Sequence, residues 1–181
     1  MKLPILVRID AGHGGRDGGA MGEGVNEKDL NLSSAKALQY FLKLQNIGSS
    51  LSRETDTRPT YADRVATPND EGLVVALHHD TATADPGLWV FFNDVKAAKP
   101  FAKTLGDSLG GALGASVKVL SHWERKWYDK KGAVIGQGLY INDTTKPAVL
   151  VELGPTRTYT RAEMVARVES LVAPIVSFLA V

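Results

Sequence analysis

The apolar run Ile5-Leu-Val-Arg-Ile9 breaks off into Asp10-Ala-Gly-His-Gly-Gly-Arg-Asp-Gly-Gly-Ala20, where Gly12, Gly14, Gly15, Gly18 and Gly19 surround a single histidine, His13. Aliphatic and β-branched residues bounded so sharply predict a short buried strand. The glycines after it let the backbone turn tightly and approach another group closely. Open α/β sheets bind ligands beyond the carboxyl ends of their strands, which makes His13 a candidate contact. Two nucleotide-binding fingerprints compete for such a loop, and both fail. G-x-G-x-x-G counted from Gly12 requires glycine where Asp17 stands, and the chain has no Gly-Lys-Ser/Thr triplet.

Downstream, Leu30, Ala35, Leu38, Phe41 and Leu42 recur at helical spacing. Asn26 is a candidate N-cap and Gly48 a candidate stop. Glu27 falls in the first turn, where the helix dipole alone favours an acid. Residues 49–53 read as a second strand, and 56–66 as a short helix with Pro59 near its first turn. Residues 73–77, Leu-Val-Val-Ala-Leu, form a fully apolar strand of the parallel-sheet type, running directly into His78, His79 and Asp80. A loop, a fourth strand over 87–92 and a helix over about 95–113 follow. Residues 116–138 are the least regular part. They carry His122, read as exposed, and Trp123 and Trp127 among cations that include Lys130 and Lys131. Aromatics mixed with cations suit contacts to sugars, peptides or nucleic acid, and equally cap the edge of a core. Residues 148–154 form another apolar strand, carrying Glu152. Residues 160–181 read as a closing helix with Met164, Val168, Leu171, Val172 and Ile175 on one face and a kink at Pro174.

Strands alternating with helices, without repeats or linkers, predict a single α/β domain over residues 1–181. The expected architecture is a three-layer sandwich whose central, mostly parallel twisted sheet is flanked by helices. A chain of 181 residues is long enough to bury about 70% of its unfolded surface. With no cysteine it has neither disulfides nor thiolate sites, so any metal must be held by His, Asp or Glu. A net charge of +1 gives no nucleic-acid footprint. No apolar segment approaches the roughly 18 to 20 residues of a membrane span, so no membrane insertion is expected. Met1-Lys-Leu-Pro leads straight into the first strand, which reads as cytoplasmic synthesis without a signal peptide.

Three strands share one feature. His13 follows the first, His78 the third, and Glu152 ends the strand near the C-terminus, so a parallel sheet brings all three to one edge. Glu27 is within reach of His13. Two histidines and one carboxylate make a catalytic zinc set with a position left for water or substrate. Zinc eases deprotonation of water by on the order of 12 kcal/mol. A carboxylate base alone contributes roughly 3 to 5 kcal/mol, so for a stable amide the metal is the larger effect. Asp17, Arg64 and Asp80 are candidates to support the ligands from behind, since a ligating histidine usually gives its other N–H to a carboxylate or carbonyl.

Five blocks carry a family resemblance: Ile9 to Ala20, Asn26-Glu-Lys-Asp-Leu-Asn-Leu32, Arg64 through Asn69, Ala76-Leu-His-His-Asp80 and Val149-Leu-Val-Glu-Leu-Gly154. In order and spacing they resemble the zinc-dependent N-acetylmuramoyl-L-alanine amidases of the amidase-3 type. The resemblance implies metal ligands at His13, Glu27 and His78, with one Zn2+ per chain, and a catalytic carboxylate at Glu152. It also implies hydrolysis of the amide between the lactyl group of muramic acid and L-alanine, with peptidoglycan as the partner. His78 rather than His79 matches the family register, although Ala76 and Asp80 stand where the family has Ser and Asn. After Gly154 the chain reads Pro-Thr-Arg-Thr where the family has Phe-Ile-Ser-Asn, which predicts altered loop packing with Glu152 in place. Asp17, Arg64, Asp80, Trp123 and Trp127 remain candidates for substrate binding or ligand support. Compactness suits a monomeric phage-type endolysin that reaches the wall after release. Two other readings stand beside it: a zinc peptidase cutting within the stem peptide, and a wall-binding module without turnover.

Overall fold

A computed structural model describes residues 5–67, 72–81, 87–128 and 134–180; the side chains of 5, 127, 128, 134 and 135 are not among them. In chain order the elements are β1 (Ile5–Ala11), the two-residue strands β2 (Met21–Gly22) and β3 (Val25–Asn26), α1 (Glu27–Leu44), β4 (Gly48–Leu51), α2 (Tyr61–Val65), β5 (Leu73–Asp80), β6 (Leu88–Phe92) and α3 (Ala98–Leu113). They continue with β7 (Lys118–Ser121), a 3-10 turn (His122–Glu124), β8 (Lys126–Tyr128), β9 (Val134–Gln137), a second 3-10 turn (Tyr140–Asn142), β10 (Ala148–Pro155), α4 (Arg161–Glu169) and α5 (Val172–Leu179).

The main sheet has six strands in the order β4-β1-β5-β10-β6-β7. The first four run parallel, β6 is antiparallel to β10, and β7 runs parallel to β6. This is the mixed, mostly parallel sheet expected, and strand alternation divides its side chains between two faces. Leu73, Val75 and Leu77 join Val7, Ile9, Val149 and Val151 in the larger core, under α1, α3, α4 and α5. Each such fully buried aliphatic side chain contributes about 1.5–3 kcal/mol. Val74, Ala76, Ala148 and Leu150 point the other way, into a smaller core with Val65 and Ile141. The two covering layers are therefore unequal, the second being built, among the described residues, around the five-residue α2 and the second 3-10 turn.

Several element boundaries differ from expectation. The helix read over 56–66 is only α2, capped by Thr60 so that Pro59 precedes it, and the strand read over 49–53 is β4, which ends at Leu51. α1 ends at Leu44, and Asn46, with φ of 59°, makes the left-handed turn expected at Gly48, which instead opens β4. The closing helix is two helices, broken at Ser170 and Leu171. Pro174 lies in the first turn of α5, where its missing N–H costs nothing, rather than kinking an interior. Asn26 holds the N-cap position of α1 without a side-chain cap. Carbonyls of the glycine loop take its place, with Glu27 N–H donating to Ala20 (2.9 Å) and Lys28 N–H to Gly18 (3.1 Å). Residues 68–71, 82–86 and 129–133 lie outside the described residues, and with them the end of the Arg64–Asn69 block, Lys130 and Lys131.

Candidate metal centre

β1 and β5 are register neighbours, so the loop after Ala11 and the residue His78 meet at the carboxyl edge of the sheet. β10 lies on the other side of β5 and pairs Glu152 with His78. Docking the start of α1 on the glycine loop carries Glu27 into the same corner. One donor atom from each of His13, Glu27 and His78 lies within 4.8 Å of the others. Glu27 sits between the histidines: its Oε2 is 3.1 Å from His13 Nε2 and its Oε1 is 2.9 Å from His78 Nδ1. It is 4% exposed, so the first-turn position does more than serve the helix dipole. Burial alone would raise its pKa, but hydrogen bonds and charge from His13 and His78 outweigh that and hold it well below the carboxylate range. For His13 burial pulls the pKa down, and contacts with Glu27 and then Asp17 push it above 6.5 on balance.

The rear side of each donor is also held. His13 Nδ1 is 2.9 Å from Asp17 Oδ1, which fixes that proton and turns Nε2 toward Glu27. His78 Nε2 is 3.3 Å from the Tyr140 hydroxyl, which donates to Asp10; Asp10 in turn accepts from Arg64 (2.9 Å). With Nε2–H donating to the tyrosine oxygen, His78 presents the lone pair of Nδ1. Two imidazoles with their outward N–H groups engaged by carboxylate or phenol, and a carboxylate between them, suit a divalent ion. The glycines make room for this. A Cβ at Gly12 would lie 2.3 Å from the His78 ring, and one at Gly19 would lie 2.5 Å from Glu27 Oε2.

Glu152 is 6% exposed and its Oε2 has no hydrogen-bond partner among the described residues. Burial, with the charges of Glu27 and Asp80 adding and His78 opposing, raises its pKa to about 7. A carboxyl poised there can both accept and return a proton at neutral pH. It lines a cavity of about 650 Å3 together with His13, Glu27, His78 and Tyr140.

The other candidates divide. Asp17 contacts His13 as expected. Arg64 is 3% exposed and reaches the rings only indirectly: besides Asp10 it holds the loop itself, donating to the carbonyls of Ala11 (3.1 Å) and His13 (2.9 Å). That restrains His13 at φ of 60°, a left-handed conformation a side chain rarely adopts. Asp80 has no hydrogen bond to either histidine among the described contacts; it accepts from Thr81 N–H and lies 3.7 Å from Arg125 on the cavity wall. Strand alternation settles His79. Its side chain lies on the face of β5 opposite that of His78, its Nδ1 2.8 Å from Asn31, while its backbone N–H donates to Glu27. Trp123 lies on the cavity rim, 49% exposed, with Nε1 donating to Asp94 (3.1 Å). Trp127 is in β8, and its side chain is outside the described residues. His122, expected at the surface, is fully buried, with Nε2 3.3 Å from Asp94 and Nδ1 facing Leu139 N–H. Its aromatic neighbour and the 3-10 turn fold it inward.

Residues 7–170 match the family model described as N-acetylmuramoyl-L-alanine amidase, Amidase_3. The chain belongs to this amidase family. YqiI of Bacillus subtilis, described as uncharacterized, is 40% identical over 151 residues, covering 82% of this chain and 68% of its own length. An endolysin of Bacillus phage SPP1 is 29% identical over 155 residues, 81% of this chain and 53% of the phage protein. The catalytic domain of CwlV, an N-acetylmuramoyl-L-alanine amidase from Bacillus (Paenibacillus) polymyxa var. colistinus, superposes with a TM-score of 0.81 at 25% identity, over 98% of this chain and 99% of that one. Beyond YqiI, this amidase-family chain spans about a third to a half of the curated relatives it matches. Among the described residues no helix is long and apolar enough to cross a membrane.

Proposed function

We propose that this chain hydrolyses the amide between the lactyl group of N-acetylmuramic acid and L-alanine in peptidoglycan, using one zinc ion held by His13, Glu27 and His78. The observation that carries the reading is a buried carboxyl, Glu152, whose Oε2 has no hydrogen-bond partner among the described residues and whose pKa burial raises to about 7, beside three clustered donors. When bound, the ion would polarise the carbonyl and lower the pKa of water from about 15.7 to about 7. Glu152 takes a proton from the attacking water and delivers it to the departing nitrogen. The water oxygen joins the carbonyl carbon, the C–N bond breaks, and the products are a lactyl carboxylate on the glycan and a free L-alanine amine. Asp17 and the Tyr140–Asp10–Arg64 chain orient the two imidazoles. Residues 1–181 act as one catalytic unit, monomeric and of the endolysin type, meeting the wall after release.

Glu152→Gln is the test. The variant is expected to bind one zinc per chain while muropeptide hydrolysis falls by at least about 100-fold. Mass spectrometry of sacculi digested by the native chain should show intact glycan separated from intact peptide. Cleavage within the stem peptide, or full activity in the variant, would overturn the assignment.

A further inference from the structure

A second, smaller cavity of about 350 Å3 lies beside the first, lined by Asp17, Arg58, Pro59, Thr60, Tyr61 and Arg64. Asp17, Tyr61 and Arg64 line both cavities, so the two are continuous past Tyr61. Tyr61 is 62% exposed yet held in place: its ring stacks on Tyr140 at 5.4 Å and 13°, and Tyr140 is itself anchored on Asp10. An aromatic face fixed before binding presents apolar area with little entropy to lose. Asp17 and Arg58 flank it with an acceptor and donors. An apolar plate edged by such groups matches a pyranose, whose ring face is C–H and whose rim is hydroxyl and acetamide. The volume lies at the lower end of the usual range for small-ligand sites.

Strand order gives the cleft a direction. Across the sheet the sequence is His13 after β1, His78 on β5 and Glu152 on β10, then β6, over which the segment following β7 folds back, with Trp123 donating to Asp94 and Arg125 lying over the Phe91 ring. Glu152 serves the departing nitrogen, so the peptide leaves toward the β7 side. The acyl half, which carries the sugar, must then extend over β1, toward Tyr61. We propose that the cavity at Tyr61 is the glycan subsite, stacking the N-acetylated pyranose next to the scissile bond, while the peptide runs toward Trp123 and the Arg125–Asp80 pair. This direction rests on the amidase reading and on the role given to Glu152.

The test measures binding, not turnover, by calorimetry on the full chain. The probes are peptide-free glycan strands of alternating N-acetylglucosamine and N-acetylmuramic acid, and free stem peptide beginning with L-alanine. Tyr61→Ala is expected to weaken glycan binding roughly three- to tenfold, the scale of one aromatic contact, and to leave stem-peptide binding unchanged. Tyr61→Phe keeps the ring face and should bind glycan within about twofold of the native chain; both variants are checked for native melting. Unchanged glycan affinity in Tyr61→Ala, a loss of peptide affinity instead, an equal loss in Tyr61→Phe, or no glycan binding by the native chain would each overturn the subsite. If Tyr61→Ala loses glycan selectively but the native chain releases no L-alanine amino groups from sacculi, the amidase reading fails and the sugar site stands.

Discussion

Glu152 has a thermodynamic signature independent of any reaction. Its folded pKa is raised from 4.5 to about 7, so in the metal-free chain the folded state holds this proton more tightly than the unfolded state does. Below pH 4.5 both states are protonated and nothing is lost. As pH rises through 7 the folded state must ionise a buried carboxyl, at a cost of about 3 kcal/mol. Glu152→Gln should therefore stabilise the metal-free protein by about that amount at pH 8, with the gain vanishing below pH 4.5. Urea unfolding of both chains at pH 4, 6 and 8 reads this directly; a pH-independent difference would contradict the burial argument. Residue identities of this kind were legible in part. His13, His78 and Glu152 stand out because glycines or strand ends surround them, whereas Glu27 reads locally as an ordinary first-turn acid and is singled out only by the family resemblance. Tyr140 and Asp10 gave no such signal. Asp10 is one more residue in an apolar strand until its face is known, and Tyr140 comes from a 3-10 turn 130 residues away.

Among the elements, the junction of β1, β4 and the start of α1 decides whether the donors can meet, and one buried cation holds it. Arg53 is 4% exposed and donates to the carbonyls of Ala11 (3.0 Å), Gly12 (3.0 Å), Thr55 (3.3 Å) and Lys28 (2.6 Å). Arg53→Ala would leave several of those acceptors unpaired, at about 1–3 kcal/mol for a buried one. Loss of about 3 kcal/mol or more in chemical denaturation is expected, together with weakened zinc binding, because the glycine loop and Glu27 lose their common tether. Loss of stability with native zinc affinity would mean the tether does not set the site. Nothing in the sequence marks Arg53, which lies two residues past the end of β4. Strands β1, β5, β6 and β10 were legible because nearly unbroken apolar runs leave few alternatives, whereas β7, β8 and β9 lie in the stretch read as irregular and were not. The helix break at Ser170 was not, since the apolar spacing continues across it. The burial of His122 was hidden for a similar reason: it depends on Asp94 and Leu139, which periodicity cannot bring together.

At the scale of the molecule, three donors come from a loop, a helix start and a strand that have no reason to be near one another once the chain unfolds. Glu27 and His78 alone are 51 residues apart in sequence. An ion that binds all three therefore binds the folded state alone and stabilises it by mass action. At free zinc 1,000 times the dissociation constant the gain is about 4.1 kcal/mol, which for a domain of this size raises the melting temperature by on the order of 10 °C. Removing the ion with a chelator should reverse the gain. His13→Ala should bring the zinc-dependent rise close to zero, because two remaining donors form an incomplete set. Glu152→Gln should keep the rise in full, because that carboxyl is assigned to proton transfer and not to the ion. Scanning calorimetry of the three chains, with zinc and with chelator, separates these roles without any substrate. A zinc-dependent rise in His13→Ala equal to that of the native chain would remove His13 from the donor set, and its loss in Glu152→Gln would make that carboxyl a ligand. Either result would change which side chain carries the proton, and the direction in which substrate crosses the sheet would have to be argued again.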